Sequence, residues 1–302
     1  MKKPLVVFAS LCLLSLTLSI SHPSYGQQAL QTAFKQIADT INGNLGVSAL
    51  HIETGESVSF NGDQKFPMQS VYKFPIAMVM LHEIDVGNFS LADTTTIDQS
   101  EYIPRAGHSP IREQYPDGTR LTIQEILEYN ISESDGTACD VLLRLLGGPG
   151  RVQQAIHALG VTNIAISTTE MVQVAHDTIQ YRNWTTPQAM NTLLEIFHNG
   201  TYLSEGSRAL LLGYMSVSNA WFDRRIKGRL PLGTALAHKT GTAGTHEGLT
   251  RATNDVGIIT LPDGSHLALS AFVSDSYDST EKRETTIAQA AKAAYDYWTR
   301  RK

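Results

Sequence analysis

The stretch Met68-Gln69-Ser70-Val71-Tyr72-Lys73-Phe74 sets a serine three residues ahead of a lysine. It opens a segment, Ser70 to Val86, whose apolar residues Phe74, Met78, Leu81 and Ile84 recur at helical spacing. Pro75 falls near the start, where backbone N–H groups lack intrahelical partners, and so does not break the helix. Residues i and i+3 share a helix face, so the Ser70 hydroxyl and the Lys73 amine come within reach, which makes Ser70 a candidate nucleophile. Alone the pattern is weak, since average composition supplies Ser-x-x-Lys about once in a chain of this length.

Outward from that helix, the two ends read as strand and helix and the middle mostly as helix. Gln28 to Ile41 is helical in spacing, Gly46 to Glu53 and Glu56 to Asn61 read as a hairpin, and helical patterns dominate Leu121 to Leu146. Within that run Thr122 stands ahead of Glu125 as a capping box, and Gly147-Gly148-Pro149 is a stop. Helices follow near Gly150 to Leu159 and Pro187 to His198; between them Gly160 to Thr186 keeps no period, and a loop of that length in a compact domain is usually functional. Strands return at Ala235 to Lys239, Asn254 to Leu261 and His266 to Ser274, with a turn at Pro262-Asp263-Gly264, before a helix from Thr280 to Thr299. The pattern predicts a sheet completed by distant segments, with a helical lobe inserted between them.

Bulk properties narrow the function. Met1-Lys2-Lys3, an apolar run from Leu5 to Ile20 and the small residues before Gln27 have the layout of a secretory signal peptide spanning residues 1–26, cleaved near Gly26/Gln27. The run is too short and too interrupted for a membrane span, so a periplasmic or secreted protein without stable membrane association is expected. A net charge of −5 and a pI near 6.0, with no basic cluster, argue against nucleic-acid binding. Of two cysteines Cys12 leaves with the signal, and Cys139, in an apolar helical run, reads as an inert core thiol. No His-x-His pair or His-Glu-x-x-His helix occurs, so no metal and no cofactor are expected.

Three signals follow Ser70 and Lys73 in order: Ser134-Asp135-Gly136, then Glu170 in the aperiodic loop, then Lys239-Thr240-Gly241-Thr242 on a strand. Each has a plain reading. Ser134-Asp135 could cap the following helix, and Glu170 could be a solvated carboxylate. In sequence and together, however, they match the Ser-x-x-Lys, Ser-Asp-Asn and Lys-Thr-Gly set of class A β-lactamases and penicillin-binding proteins. The chain resembles the class A serine β-lactamases, and within them the extended-spectrum branch of the PER, VEB and TLA types. Supporting stretches are Phe66 to Lys73, Ser132-Glu133-Ser134-Asp135, Cys139-Asp140, Gln180 to Trp184, Ala237 to Thr242 and Ala252 to Asp255.

The resemblance implies an α/β fold of β-lactamase/transpeptidase type, with an antiparallel sheet flanked by helices plus an all-helical lobe. Residues 27–302 would form one catalytic domain, with an α/β lobe over about 27–66 and 217–302 and a helical lobe over about 67–216. A monomer acting on small β-lactams is expected, with Ser70 as the nucleophile that becomes acylated. Either Lys73 or Glu170 would take its proton, a choice the sequence leaves open. Lys73 can serve only when neutral, and Lys239, desolvation and the helix end are expected to depress its pKa. By resemblance, the backbone N–H groups of Ser70 and Thr242 form the oxyanion hole and Ser134 relays a proton to the leaving nitrogen. Lys239, Thr240, Gly241 and Thr242 meet the substrate carboxylate, aided by Arg225 unless that is a surface arginine. Glu170 then activates the deacylating water.

Departures from the family pattern are informative. Gly136 stands where most relatives have asparagine, which puts contacts to Lys73 and substrate in doubt and is expected to widen the site. Val174 replaces a residue that usually binds water, and Thr168 and Asn183 replace an Arg–Asp ion pair at the loop neck. His108 is expected at the rim in place of an aromatic residue, and His238, one before Lys239 on a strand, faces the other way. The alternative functions are a penicillin-binding DD-peptidase, which lacks a loop glutamate, and a β-lactam sensor domain that stays acylated.

Overall fold

The computed structural model describes residues 24–217 and 223–300. The expected signal segment falls outside the described residues except for its last three. Ser24 caps the first helix, α1 (Tyr25–Ala38), its hydroxyl accepting from the Gln27 N–H while its own N–H donates to the Gln27 side chain. The junction expected near Gly26/Gln27 therefore lies in the first turn of α1.

Six strands form one antiparallel sheet: β1 (Asn44–His51), β2 (Glu56–Phe60), β3 (Leu236–Thr242), β4 (Thr245–His246), β5 (Leu249–Thr260) and β6 (His266–Ser276). Their order is β2-β1-β6-β5-β3, with β4 paired to β5. The N-terminal hairpin joins the C-terminal strands through β1 and β6, in register from Asn44↔Ser274 to His51↔Leu267. Alternation along β6 divides the core in two. Leu267, Leu269, Ala271 and Val273 pack against α1 and the terminal helix α9 (Thr280–Thr299, numbered last in the chain). Ala268 and Phe272 face the central helices on the other side.

Those helices are α2 (Lys73–Asp85), α3 (Ile123–Ile131), α4 (Gly136–Leu145), α5 (Pro149–Ala158), α6 (Glu170–Ala175), α7 (Pro187–Asn199) and α8 (Glu205–Met215). Every residue of α2 from Lys73 to Leu81 is buried, so it is the axle of the helical side. Its apolar residues surround it on all faces, which is why a single-face reading of Phe74, Met78, Leu81 and Ile84 understates its burial.

The differences from the sequence reading cluster at the site. Residues Gln69–Tyr72 form a 3₁₀ turn and α2 begins only at Lys73, a geometry that nearly eclipses positions i and i+3. The helical run from Leu121 breaks between α3 and α4, where Ser134 adopts φ +57°. The aperiodic stretch Gly160–Thr186 contains α6, a 3₁₀ turn over Asp177–Arg182 and two short strands. Helix α8 has no counterpart in the sequence reading, since Gly206 and Gly213 dilute its pattern despite the Ser204 cap. Cys139 is a buried free thiol, as expected.

The central sheet is tied to the nucleophile turn by one side chain. Buried Asn254 on β5 donates through Nδ2 to the carbonyls of Pro67 (2.8 Å) and Met68 (3.0 Å). Asn254→Ala is expected to lose about 1–3 kcal/mol in urea unfolding, because buried acceptors lose their donor. A loss below about 0.5 kcal/mol, the level of an ordinary surface change, would remove this tie from the account.

Candidate active site

Edge strand β3 runs beside the 3₁₀ turn that carries Ser70, and the close approach depends on Gly241. A Cβ there would come within 2.5 Å of the Met68 carbonyl and 3.2 Å of the Ser70 nitrogen. Gln69, with φ +47°, and Ser134, with φ +57°, hold left-handed backbone on either side of the crevice, a strain found where structure over-determines a functional site. The crevice has a volume of about 600 Å³ and is lined by Ser70, Lys73, Ser134, Glu170, Thr240, Gly241 and Thr242.

At its floor Lys73 joins three chain segments. Its Nζ donates to Ser70 Oγ and to the Ser134 carbonyl, both at 2.8 Å, and lies 2.9 Å from Glu170 Oε1 in an ion pair. Burial works to lower the Lys73 pKa, but Glu170, with Cys139 and Asp135 adding to it, offsets burial and the net direction is up. The expected depression falls on the other lysine. Lys239 is lowered to about 7, chiefly by burial and then by the Lys73 charge, while its Nζ donates to Ser134 Oγ at 2.9 Å. Burial disfavours the charge on both ammonium groups; the nearby acidic groups offset it at Lys73, whereas the Lys73 charge adds to it at Lys239.

The capping reading of Ser134-Asp135 holds for the aspartate. Asp135 caps α4 by accepting from the Ala138 N–H (2.8 Å), and it also accepts from the Ile111 N–H (2.7 Å) and from Ser109 Oγ. That network frees Ser134 to face the crevice.

Glu170 is no solvated loop carboxylate. It is the first residue of α6, capped by Thr169, and is 6% exposed. Its N–H and that of Met171 donate to the two oxygens of Asp140, at 2.7 and 2.8 Å. Burial pushes Asp140 up to about 7 despite those bonds. The loop neck is held by Asn183, whose Oδ1 accepts from the N–H groups of Ser167 (2.9 Å) and Thr168 (3.1 Å) and whose Nδ2 donates to the Thr168 carbonyl (3.0 Å). Backbone bonds thus replace the absent Arg–Asp pair. Gln69 bridges the nucleophile turn to this loop, accepting from Gln173 Nε2 at 3.0 Å and donating to Gln180. Tyr181 and Arg251 fasten it to the sheet through Asp275 and Asp177.

Two positions, Arg225 and Gly136, differ from expectation. Arg225 is not a surface arginine: 3% exposed, it donates to Thr242 Oγ1 (2.7 Å), the Gly241 carbonyl (3.0 Å) and the Asn254 carbonyl (2.7 Å), with Glu284 alongside. It supports β3 from behind and does not line the crevice. Gly136 does not widen the site, because the space of the missing side chain is filled. A Cβ there would fall 2.4 Å from Ile103 Cδ1 and 3.3 Å from the His108 carbonyl, which accepts the Gly136 N–H at 2.9 Å. His108 does line the rim, its Nε2 2.9 Å from the Glu133 carbonyl. Val174 lines the crevice and packs toward Gly107. His238 is buried against Asp255, with Nδ1 2.9 Å from the carboxylate, on the face away from Lys239.

Gln69 and Asp140 lay in stretches that carry the resemblance but had no role assigned, and Ile103 and Glu284 had no signal, since each acts through contacts distant in sequence. Gly136→Asn is expected to destabilise the protein by about 1–3 kcal/mol through overpacking, and Ile103→Ala in the same chain to recover part of that loss. Thermal unfolding of both singles and the double checks it; strictly additive losses would contradict the steric account.

Comparison with known proteins follows the same outline. A model described as the β-lactamase enzyme family matches residues 28–298. β-Lactamase VEB-1 of Pseudomonas aeruginosa is 38% identical over 289 residues, 95% of this chain and 96% of that one. Extended-spectrum β-lactamase PER-1 of the same organism is 37% identical over 297 residues, covering 97% and 96%. Among solved structures, TLA-1 extended-spectrum β-lactamase superposes with a TM-score of 0.88 at 39% identity, covering 91% of this chain and 99% of that one. A β-lactamase from Chitinophaga pinensis gives 0.86 at 42%, covering 89% and 98%.

Proposed function

This chain belongs to the β-lactamase enzyme family, and we propose that it opens the β-lactam ring of penicillins and cephalosporins through an ester on Ser70 that Glu170 helps to hydrolyse. The observation that carries this reading is the contact of one buried ammonium, Lys73, with Ser70 Oγ and Glu170 Oε1 together.

A serine hydroxyl attacks a carbonyl only as its proton leaves. Lys73 is protonated at rest, so it must first lose a proton to Glu170 and then take the one from Ser70. Both transfers run along contacts of 2.9 and 2.8 Å. The two candidate bases thereby form one relay. As the C–N bond of the lactam breaks, the ring nitrogen takes the Ser134 proton, which Lys239 replaces across 2.9 Å. Negative charge on the carbonyl oxygen is met by the Ser70 and Thr242 backbone N–H groups. Before the second half Glu170 gives up the proton it holds and Lys239 regains one, both by exchange with solvent. Glu170 then draws a proton from water as it attacks the ester, the Ser70 oxygen leaves with a proton from Lys73, and Glu170 returns its proton to Lys73. Gln69, Asp140 and Asn183 hold the glutamate for that step.

The substrate carboxylate lies against Lys239, Thr240 and Thr242, with Arg225 reaching it only through Thr242 Oγ1. Hydrolysis extending to oxyimino cephalosporins fits the resemblance to the named extended-spectrum relatives. Export, as the head of the sequence suggests, would place the enzyme where β-lactams meet the cell; no helix among the described residues is long and apolar enough to cross a membrane. A DD-peptidase or sensor is the weaker reading, because Glu170 sits in the site rather than on the surface.

Two experiments test this. With a chromogenic cephalosporin the wild type is expected to turn over many times, whereas Glu170→Ala stops at one equivalent with an acyl adduct visible by mass spectrometry; single turnover by the wild type would instead favour the sensor. The pH dependence follows from Lys239. A lysine lowered to about 7 is cationic below that pH and neutral above it, so kcat/KM for a carboxylate-bearing substrate should fall as pH rises through about 7. Lys239→Arg, charged throughout, should lose that limb, and an unchanged limb would assign it to another group.

A further inference from the structure

Outside the crevice, the fold gathers three residues far apart in sequence. Glu53 lies in the turn after β1, His266 opens β6 and His198 ends the C-terminal turn of α7. A ligand atom from each lies within 4.8 Å of the other two. We propose that Glu53, His198 and His266 bind a divalent transition-metal ion, with zinc as its probe, and that the ion staples α7 to the β1–β6 end of the sheet.

The chemistry of the donors supports the assignment. Glu53 holds His266 from both sides, accepting its backbone N–H at 2.9 Å through Oε2 and lying 2.7 Å from its Nδ1 through Oε1. His266 Nδ1 faces Glu53 Oε1 across 2.7 Å, so an ion that takes the place of the proton between them would be held by both, with the ring proton on Nε2. The His198 ring lies 4.2 Å from the His266 ring, centroid to centroid. Arg208 donates to the His198 carbonyl at 2.6 Å, fixing the helix end, and His51 Nδ1 stands 3.8 Å from Glu53 as a further imidazole.

Two imidazoles and a carboxylate, completed by water, form a set that zinc accepts, with bonds of about 2.0–2.2 Å. Tetrahedral bonds of that length put ligand atoms about 3.3 Å apart, so the Glu53–His266 pair, now 2.7 Å apart, must open slightly while His198 settles beside it. None of the three is buried, so rotation about their side-chain bonds can supply this. Nitrogen donors disfavour magnesium and calcium, which take oxygen. The ion would not enter the reaction. Ser270 shares a sheet row with Lys239 through Val256, and His266 lies four residues further along β6, about 13 Å at strand rise.

The test uses untagged, metal-free protein titrated with Zn²⁺ by calorimetry, with Mg²⁺ as control, and followed by thermal unfolding. One equivalent is expected to bind. At a hundredfold excess over Kd the Tm should rise by roughly 5 °C, while Mg²⁺ leaves it unmoved. His198→Gln and His266→Gln should each weaken Zn²⁺ binding at least tenfold while leaving cephalosporin turnover unchanged, which also reports that the variants fold. No binding by the wild type, or wild-type affinity in either variant, would overturn the site.

Discussion

The ion pair between Lys73 and Glu170 organises the rest of the site. A buried ammonium is costly unless paired and hydrogen-bonded, and removing one partner of such a pair typically destabilises by about 3–5 kcal/mol. Lys73 meets that demand by binding the nucleophile turn, the α3–α4 break and the head of α6 at one nitrogen. Asn130 adds a bond to its carbonyl from α3. The fold therefore closes around this charge. Burial acts against both lysines, but the net shift is upward at Lys73, beside Glu170, and downward at Lys239, where burial and the Lys73 charge act together, so the division of labour between them is electrostatic.

Around that pair the structure compensates for residues that differ from the family pattern. Where asparagine usually stands, Gly136 lets α4 draw against Ile103 and the His108 carbonyl. At the loop neck Asn183 binds backbone on both sides, and Gln69 spans from the nucleophile turn to Gln173 and Gln180. These are neutral, directional bonds in place of an ion pair. They leave Glu170 rigid while adding no further charge beside Lys73 and Asp140.

Much of this was legible in the sequence. The sheet built from both ends, the inserted helices and the residues Ser70, Lys73, Ser134, Glu170 and Lys239 followed from periodicity, from motif order and from resemblance. What escaped did so for physical reasons. A 3₁₀ turn and an α-helix share nearly the same spacing, so the start of α2 could not be placed. A left-handed residue such as Ser134 leaves no mark in hydrophobic period, so α3 and α4 ran together. The protonation of Lys73 depended on a carboxylate nearly a hundred residues away in the chain, whose 2.9 Å approach only the fold defines. The place of Arg225 behind β3, and the Glu53–His198–His266 trio, depended likewise on contacts between distant segments.

The claim that the carboxylate decides which lysine is protonated can be tested without substrate. Lysine side chains labelled at Cε report their own titrations by NMR, with Lys73→Ala and Lys239→Ala supplying assignments. The account predicts that Lys239 titrates near 7 and Lys73 above the ordinary lysine range. A Lys73 resonance titrating near neutrality, with Lys239 still charged at pH 9, would contradict it.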